Sequence, residues 1–409
     1  MSPQRAAAEP YGTRFESTVA AVDGRRVWLE TTHFFAASAG QPADQGTIGD
    51  VPVADVRFED GEVVHVLSDE PRFRAGNSVL CSIDWETRMY CMRAHTACHV
   101  CYGAARRVLN DVAYAGVEIG AERARVDVET NDAVDDDALV ELDELLNQVV
   151  WESRSVSWDS IPVAEARETD DIAISEATDD GAFEKGRVRV VTIGDADSGG
   201  ANTINAASDT WDAAACAGTH VRNTREIGPV TILGATQPRP GRVGVELAVG
   251  PRAIDRRATE KRVTFAASRQ LGVPLGEATG ELSRLETERA ELADSVDTLQ
   301  RELVRTRIEG AEAFERDGRT WVATTAGGVD ADEAGEVARE TAGEVADVVV
   351  VAGEEESPFA VVAAGEDADA AAILRALTEE FGGGGGGSPE LAWGGDFDVE
   401  PEEVVSGLE

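Results

Sequence analysis

The sequence predicts an α+β protein of four consecutive segments: an N-terminal β-barrel, an α/β segment holding a metal site, a helical hairpin arm and a C-terminal α/β segment. Three observations carry that prediction. Alternating apolar residues and Asp-Gly turns fill the first ninety residues. A heptad-like apolar repeat takes over after Arg252. Two pentapeptides, HTACH and CAGTH, hold three of the chain's five histidines.

Taken in order, VAAVDGRRVWLETT and VPVADVRFEDGEVVHVLSD each read as two strands around an Asp-Gly turn. RFRAGNSVLCSIDWETR continues the β pattern to a helix start, giving a barrel over 1–90. Residues 88–110 lack Pro and read as a helix. Residues 113–128 read as β, and 132–154 as an acidic amphipathic helix. Residues 164–185 are rich in Asp, Glu, Ala and Thr, a solvated stretch. GRVRVVTIGD is a strand, and so is GRVGVELAVG; between them AAACAGTHVRNTREIGPVTILGA is a turn followed by strands. This segment spans 91–251. Leu282, Leu285, Leu292, Val296, Leu299 and Leu303 form a seam with Arg289 at one position. Pro274 and Gly276 separate that helix from one near 253–271, so 252–312 is expected as a hairpin or coiled-coil arm. Residues 313–409 alternate buried-type strands (WVATTAG, ADVVVVAG, FAVVAAG) with helices, then carry six glycines, Gly382 to Gly387.

The chain of 409 residues has a formal net charge of −41 and only two lysines, Lys185 and Lys261. Such a surface suits a cytoplasm holding molar salt, where a short Debye length screens self-repulsion. A 42% hydrophobic content with β-branched runs argues against acidic disorder. No run of eighteen apolar residues exists, so no membrane partner is expected. The N-terminus lacks a signal h-region. Five cysteines, four of them between Cys81 and Cys101, make no disulfide framework and fit a reducing compartment.

His95 and His99 are i and i+4 on a helix, about 6 Å apart on one face. Cys216 and His220 flank a glycine-containing turn. A thiolate and three imidazoles make a zinc-type ligand set, one ion in all. Cys91, Cys98 and Cys101 compete for that role. Cys91 and His99 lie roughly 12 Å apart along a helix, too far for one ion, and Cys98 faces another sector. These three cysteines read as helix packing, and His33 and His65 as ordinary strand residues. Two arrangements fit the four ligands. Either all bind and close the site, or His220 stays free and holds a water.

HTACH, CAGTH and FFAASAGQPADQG together resemble the editing domain of alanyl-tRNA synthetases and its free-standing trans-editing relatives. The family's Thr-x-Phe-Tyr-Pro and Gly-Gly-Gln positions fall here on Thr32, Phe34, Phe35, Ala36, Ala39, Gly40 and Gln41. The run from His220 to Gly228 fits as well, and GGGGGGSPELAWGG resembles the glycine-rich end of a DHHA1 domain. Phe35 replaces the family's Tyr, Ala36 its Pro, Ala39 its first Gly, and Ala217 a Gly of its Cys-Gly-Gly-Thr-His turn. The resemblance implies a zinc-binding editing domain, a C-terminal DHHA1-like domain whose glycine loop contacts RNA, and hydrolysis of the ester in mischarged alanine tRNA (serine or glycine in place of alanine). It implies that Thr32 and Gln41 line the amino-acid pocket, with His220 beside them. About ten residues precede the barrel, so a free-standing form rather than an aminoacylating ligase is expected. No Asp-His-His triplet supports a phosphodiesterase. The alternative is a zinc-containing tRNA-binding protein that does not cleave.

RNA contacts are expected where charge reverses. Residues 221–270 carry ten Arg or Lys against four Asp or Glu. Arg239, Arg242, Arg252, Arg256, Arg257, Lys261 and Arg262 are candidate phosphate contacts, and the backbone of Gly384 and Gly385 permits close approach to RNA. The competing reading of the arginines is surface ion pairing. A homodimer through the arm or the DHHA1-like domain is compatible with the pattern.

Overall fold

The computed structural model describes residues 4–169, 172–174, 182–184, 186–194, 210–355 and 357–408. Asp-Gly pairs reverse the chain where the sequence places them. β1 (Arg14–Asp23) turns into β2 (Arg26–Leu29), β3 (Gly46–Ile48) precedes β4 (Val51–Glu59), and β4 turns through Asp60–Gly61 into β5 (Glu62–Leu67). Both residues of that last turn have positive φ, 50° and 79°, the left-handed geometry of a tight hairpin loop. β6 (Ser78–Ile83) pairs with β1 and β3, closing a barrel of order β1-β2-β5-β4-β3-β6. Its interior is Val19, Leu29, Phe34, Ile48, Val56 and Leu67 with their neighbours.

Asp84 stops the barrel and starts α1 (Trp85–Val108), its carboxylate accepting from Thr87 N at 2.8 Å. This is the N-cap bond that satisfies an orphan donor. β7 (Ala113–Ile119) and β8 (Ala124–Glu129) follow, then α2 (Asp136–Glu152), β9 (Val156–Pro162) and α3 (Val163–Glu168). The acidic stretch 164–185 thus opens as a helix. It also supplies two-residue strands, β10 (Ile172–Ala173) and β11 (Phe183–Glu184). Its residues 170–171, 175–181 and 185 lie outside the described residues. β12 (Arg187–Ile193) pairs with β9, β11 and β13 (Asp212–Ala215). β14 (Val230–Arg239) and β15 (Arg242–Val249) complete a sheet of order β14-β15-β8-β7. α1 and α2 pack against it through Met92, Val100, Leu142 and Leu146.

The chain divides into two compact units, Met1–Thr264 and Phe265–Glu409. α4 (Pro251–Leu271) runs across that division. It ends as expected before Gly272 and Pro274, and α5 (Ala278–Gly310) follows. The heptad period is helical, but its seam is not buried. Leu282, Leu292 and Leu299 are 49%, 60% and 64% exposed, and only the last turns, at Val304 and Ile308, enter a core.

The second unit is a six-stranded sheet covered on both faces. Its strands are β16 (Phe314–Arg316), β17 (Arg319–Thr325), β18 (Val348–Glu354), β19 (Pro358–Ala364), β20 (Gly384–Gly387) and β21 (Leu391–Gly395), in the order β16-β17-β18-β19-β21-β20. α6 (Ala331–Thr341), α7 (Ala370–Phe381) and α8 (Pro401–Ser406) cover it. The glycine run corrects an expectation: it is an edge strand, not a loop. Gly385 and Gly387 lie so close to β21 that a Cβ would stand 2.4 Å from its backbone. Close pairing, which only glycine allows there, turns a linker-like composition into a strand.

Candidate functional site

Two distant segments build one cluster. α1 presents His95 and His99 on one face, and the turn after β13 presents Cys216 and His220. All four are buried, and one ligand atom from each lies within 4.8 Å of every other. Gly218 makes the approach possible, since a Cβ there would stand 2.1 Å from the His95 ring.

A hydrogen-bond partner holds Nδ1 of each histidine. His95 donates to Gln41 Oε1 at 3.1 Å, His99 to Asp212 Oδ2 at 2.9 Å, and His220 meets Thr96 Oγ1 at 3.3 Å. Thr96 spends its own hydrogen on Met92 O, so it accepts from the ring. Each imidazole is thereby fixed with Nε2 turned to the cluster, the arrangement in which outer partners set ligand tautomer and orientation. Nε2 of His95 and of His220 lie 3.4 and 3.3 Å from Cys216 Sγ. A tetrahedral ion with bonds of about 2.0–2.3 Å requires ligand separations of roughly 3.3–3.7 Å; these two separations match it, the others lie within 4.8 Å, and the thiolate and imidazole donors are those zinc takes.

Burial alone would raise the Cys216 thiol, but His95 and His220 reverse that and hold it well below the ordinary thiol range. Burial lowers His99, yet its bonds to Asp212 and Cys216 prevail and carry it to about 10. Burial drives His220 well down. The direction at Cys216 favours the thiolate form. By contrast burial pushes Cys91 and Cys101 up to about 12 and Cys98 well up. Cys98 and Cys101 belong to the core packed around α1, and Cys91 is buried on the same helix.

The pocket residues expected from the resemblance sit behind this cluster. Gln41 is buried, its Oε1 shared by His95 and Thr219 N (3.0 Å) while its Nε2 donates to Thr219 Oγ1. It ties α1 to the Cys216 turn. The Thr32 hydroxyl donates to His65 Nε2 at 2.8 Å and accepts from Phe34 N, and His65 Nδ1 donates to Val27 O. A cavity of about 270 Å³ opens beside the cluster, walled by Ala39, Gly40, Tyr114, Gly116, Cys216 and Ala217 among others. Neither Thr32 nor Gln41 is part of its wall. Ala39 adopts φ 50°, the left-handed region that favours glycine.

Most of the basic residues read as phosphate contacts are ion-paired. Arg239 meets Glu129, Arg252 meets Glu122, Arg256 meets Glu260, and Arg257 meets Asp143. Arg242 is bonded to Ala115 O and Asp127, bracing the sheet. Asp212, Thr96 and Thr219 were invisible to local pattern, since they act on residues 113, 124 and 178 positions away.

Residues 188–246 match the threonyl and alanyl tRNA synthetase second additional domain. The alanine–tRNA ligase of Pyrococcus abyssi is 31% identical over 75% of this chain and 32% of its own. That of Halobacterium salinarum is 32% identical over the same shares. A solved structure, the C-Ala domain from Aquifex aeolicus alanyl-tRNA synthetase, matches 24% of this chain and 94% of its own at 21% identity, with a TM-score of 0.22. The chain spans about a third of the length of the ligases it matches. That shared sequence, with the matched domain enclosing the turn that bears Cys216 and His220, relates the chain to the alanyl-tRNA synthetase editing-domain family.

Proposed function

We propose that this chain is an aminoacyl-tRNA hydrolase that removes wrong amino acids, serine or glycine, from alanine tRNA. The observation that carries the reading is the four-residue cluster beside a small cavity in a chain related to this family. His95, His99, Cys216 and His220 would hold one zinc ion. Held by four protein ligands, zinc would have no open position and would serve to fix the pocket wall that orients the ester and its water. Gln41, Asp212 and Thr96 keep the imidazoles aimed. His220 acts as a ligand in this reading, because Thr96 occupies its other nitrogen. The cavity wall is mostly Ala and Gly, which leaves room for a small amino acid. The ester is already reactive, so holding it against a positioned water accounts for much of the rate. Thr32 and Gln41 act from behind the wall, fixing the loop that carries Ala39 and Gly40.

RNA would run along residues 239–262, exchanging the carboxylate partners of Arg239, Arg252, Arg256 and Arg257 for phosphates. Exposed pairs of that kind are worth about 0–1 kcal/mol each, so the exchange is cheap. Lys261 and Arg262 extend the track, and the edge of β20 offers Gly384 and Gly385. The exposed α5 seam suits a second copy of the chain, and a salt-rich cytoplasm suits the charge.

The test incubates the protein, in high salt, with alanine tRNA charged with serine, glycine or alanine. Loss of the serine or glycine ester with alanine spared supports the proposal. Tight RNA binding with no hydrolysis above the spontaneous rate overturns it in favour of a binding protein.

A further inference from the structure

Arg88 and Asp44 form an ion pair whose side chains are 0% and 1% exposed. Charges so deeply buried are costly unless every bond is satisfied, and here the bonds lead somewhere specific. Arg88 Nε donates to Asp44 Oδ1 at 3.0 Å, and a second nitrogen donates to Oδ2. Nη1 also donates to Pro10 O and Nη2 to His33 O, both at 2.7 Å. Asp44 Oδ2 also accepts from Phe35 N at 2.6 Å. One guanidinium thus grips both ends of the loop that runs from His33 to Asp44. That loop carries Gln41, whose Oε1 holds His95. Arg88 stands two helical turns before His95 on α1, so both lie on one face. The helix holds the loop with one residue, and the loop holds the helix's ligand with another.

We infer that Arg88 and Asp44 are positioning residues of the metal centre, acting through the loop and Gln41 on the orientation of His95. This rests on the metal-binding part of the proposed function and not on hydrolysis. The pair is a remote setting for one imidazole. Its sequence signal is absent because the partners are 44 positions apart.

The experiment compares zinc affinity and the absorption bands of the cobalt-substituted protein, which report ligand geometry, in four forms of the full chain. These are the parent, Gln41→Ala, the double variant Asp44→Leu/Arg88→Met, and the triple variant. Replacing both charges by apolar residues of similar volume avoids a lone buried charge. The double variant should bind zinc about tenfold or more weakly, the scale of lost outer-partner contacts, with the same cobalt band shift as Gln41→Ala. The triple variant should be no worse than either, because all act through one link. Parent-like affinity and bands in a folded double variant would overturn the inference, as would fully additive losses in the triple. Arg88→Lys, which keeps the charge but cannot make all four bonds, serves if the double variant folds poorly; it should show the same shift at smaller size, and an unchanged spectrum counts against the inference. A chain that binds metal as described yet hydrolyses no ester sinks the hydrolase reading alone.

Discussion

The interior of the barrel and the cluster on α1 both bury histidine, and they do so to opposite ends. His65 has each ring nitrogen matched: Nδ1 donates to Val27 O, and Nε2 accepts from Thr32. Nothing is left over, and burial holds its pKa at about 4. His95, His99 and His220 have Nδ1 matched in the same way, but their Nε2 atoms converge near one sulfur. A polar network that closes on itself is structure. One that is complete on its outer side and convergent on its inner side could hold an ion. Exposure does not distinguish the two, since all four rings are buried.

The comparison breaks most directly at Cys216. Cys216→Ala should lose roughly 3 kcal/mol of zinc binding, a quarter of the approximately 10–16 kcal/mol typical of such sites. Metal analysis of the purified variant reads this; full retention of one ion would remove Cys216 from the ligand set. His65→Gln tests the other side. Its neutral form is favoured in the fold, so stability is fully present above the ordinary 6.5 and is lost as pH falls towards about 4. That window corresponds to about 3 kcal/mol. Urea unfolding at pH 7 and pH 4.5 should show the parent losing more stability than the variant; equal losses would contradict the burial argument. Asp212→Asn, which leaves His99 with a weaker partner, should cost about 10- to 100-fold in zinc affinity, measured by chelator competition. Smallest is Ala39→Gly. Relief of a left-handed alanine should add about 1 kcal/mol, visible as a raised unfolding midpoint; a lowered midpoint would mean the wall has adapted to alanine.

Much of this was legible beforehand. Asp60–Gly61 marks its hairpin because only local geometry is at stake, and HTACH announces a helix face for the same reason. CAGTH adds the second half through composition, a rare concentration of histidine. What local pattern could not carry was completion by distant partners. Asp212 reads as one more acidic residue until β13 brings it to His99. Gln41 suggests a pocket by resemblance, whereas the fold spends it on His95 and Thr219. The seam of α5 shows the limit from the other direction: Leu282 to Leu303 keep a heptad period broken only by Arg289, yet periodicity fixes which side chains share a face and not what covers it. Glycines 384–387 carry no pattern at all, and their strand exists because β21 lies alongside.

The order of synthesis adds a timing to the split cluster. At about 5–20 residues per second, the 121 positions between His95 and Cys216 take roughly 6–24 s to emerge. The barrel, finished by Ile83, can close during that wait. Two ligands then stand on a new helix without their partners, held at one end by Arg88 against a loop already in place. Any metal capture by the four residues must then wait for the second segment, so the proposed site is completed only after the barrel has formed.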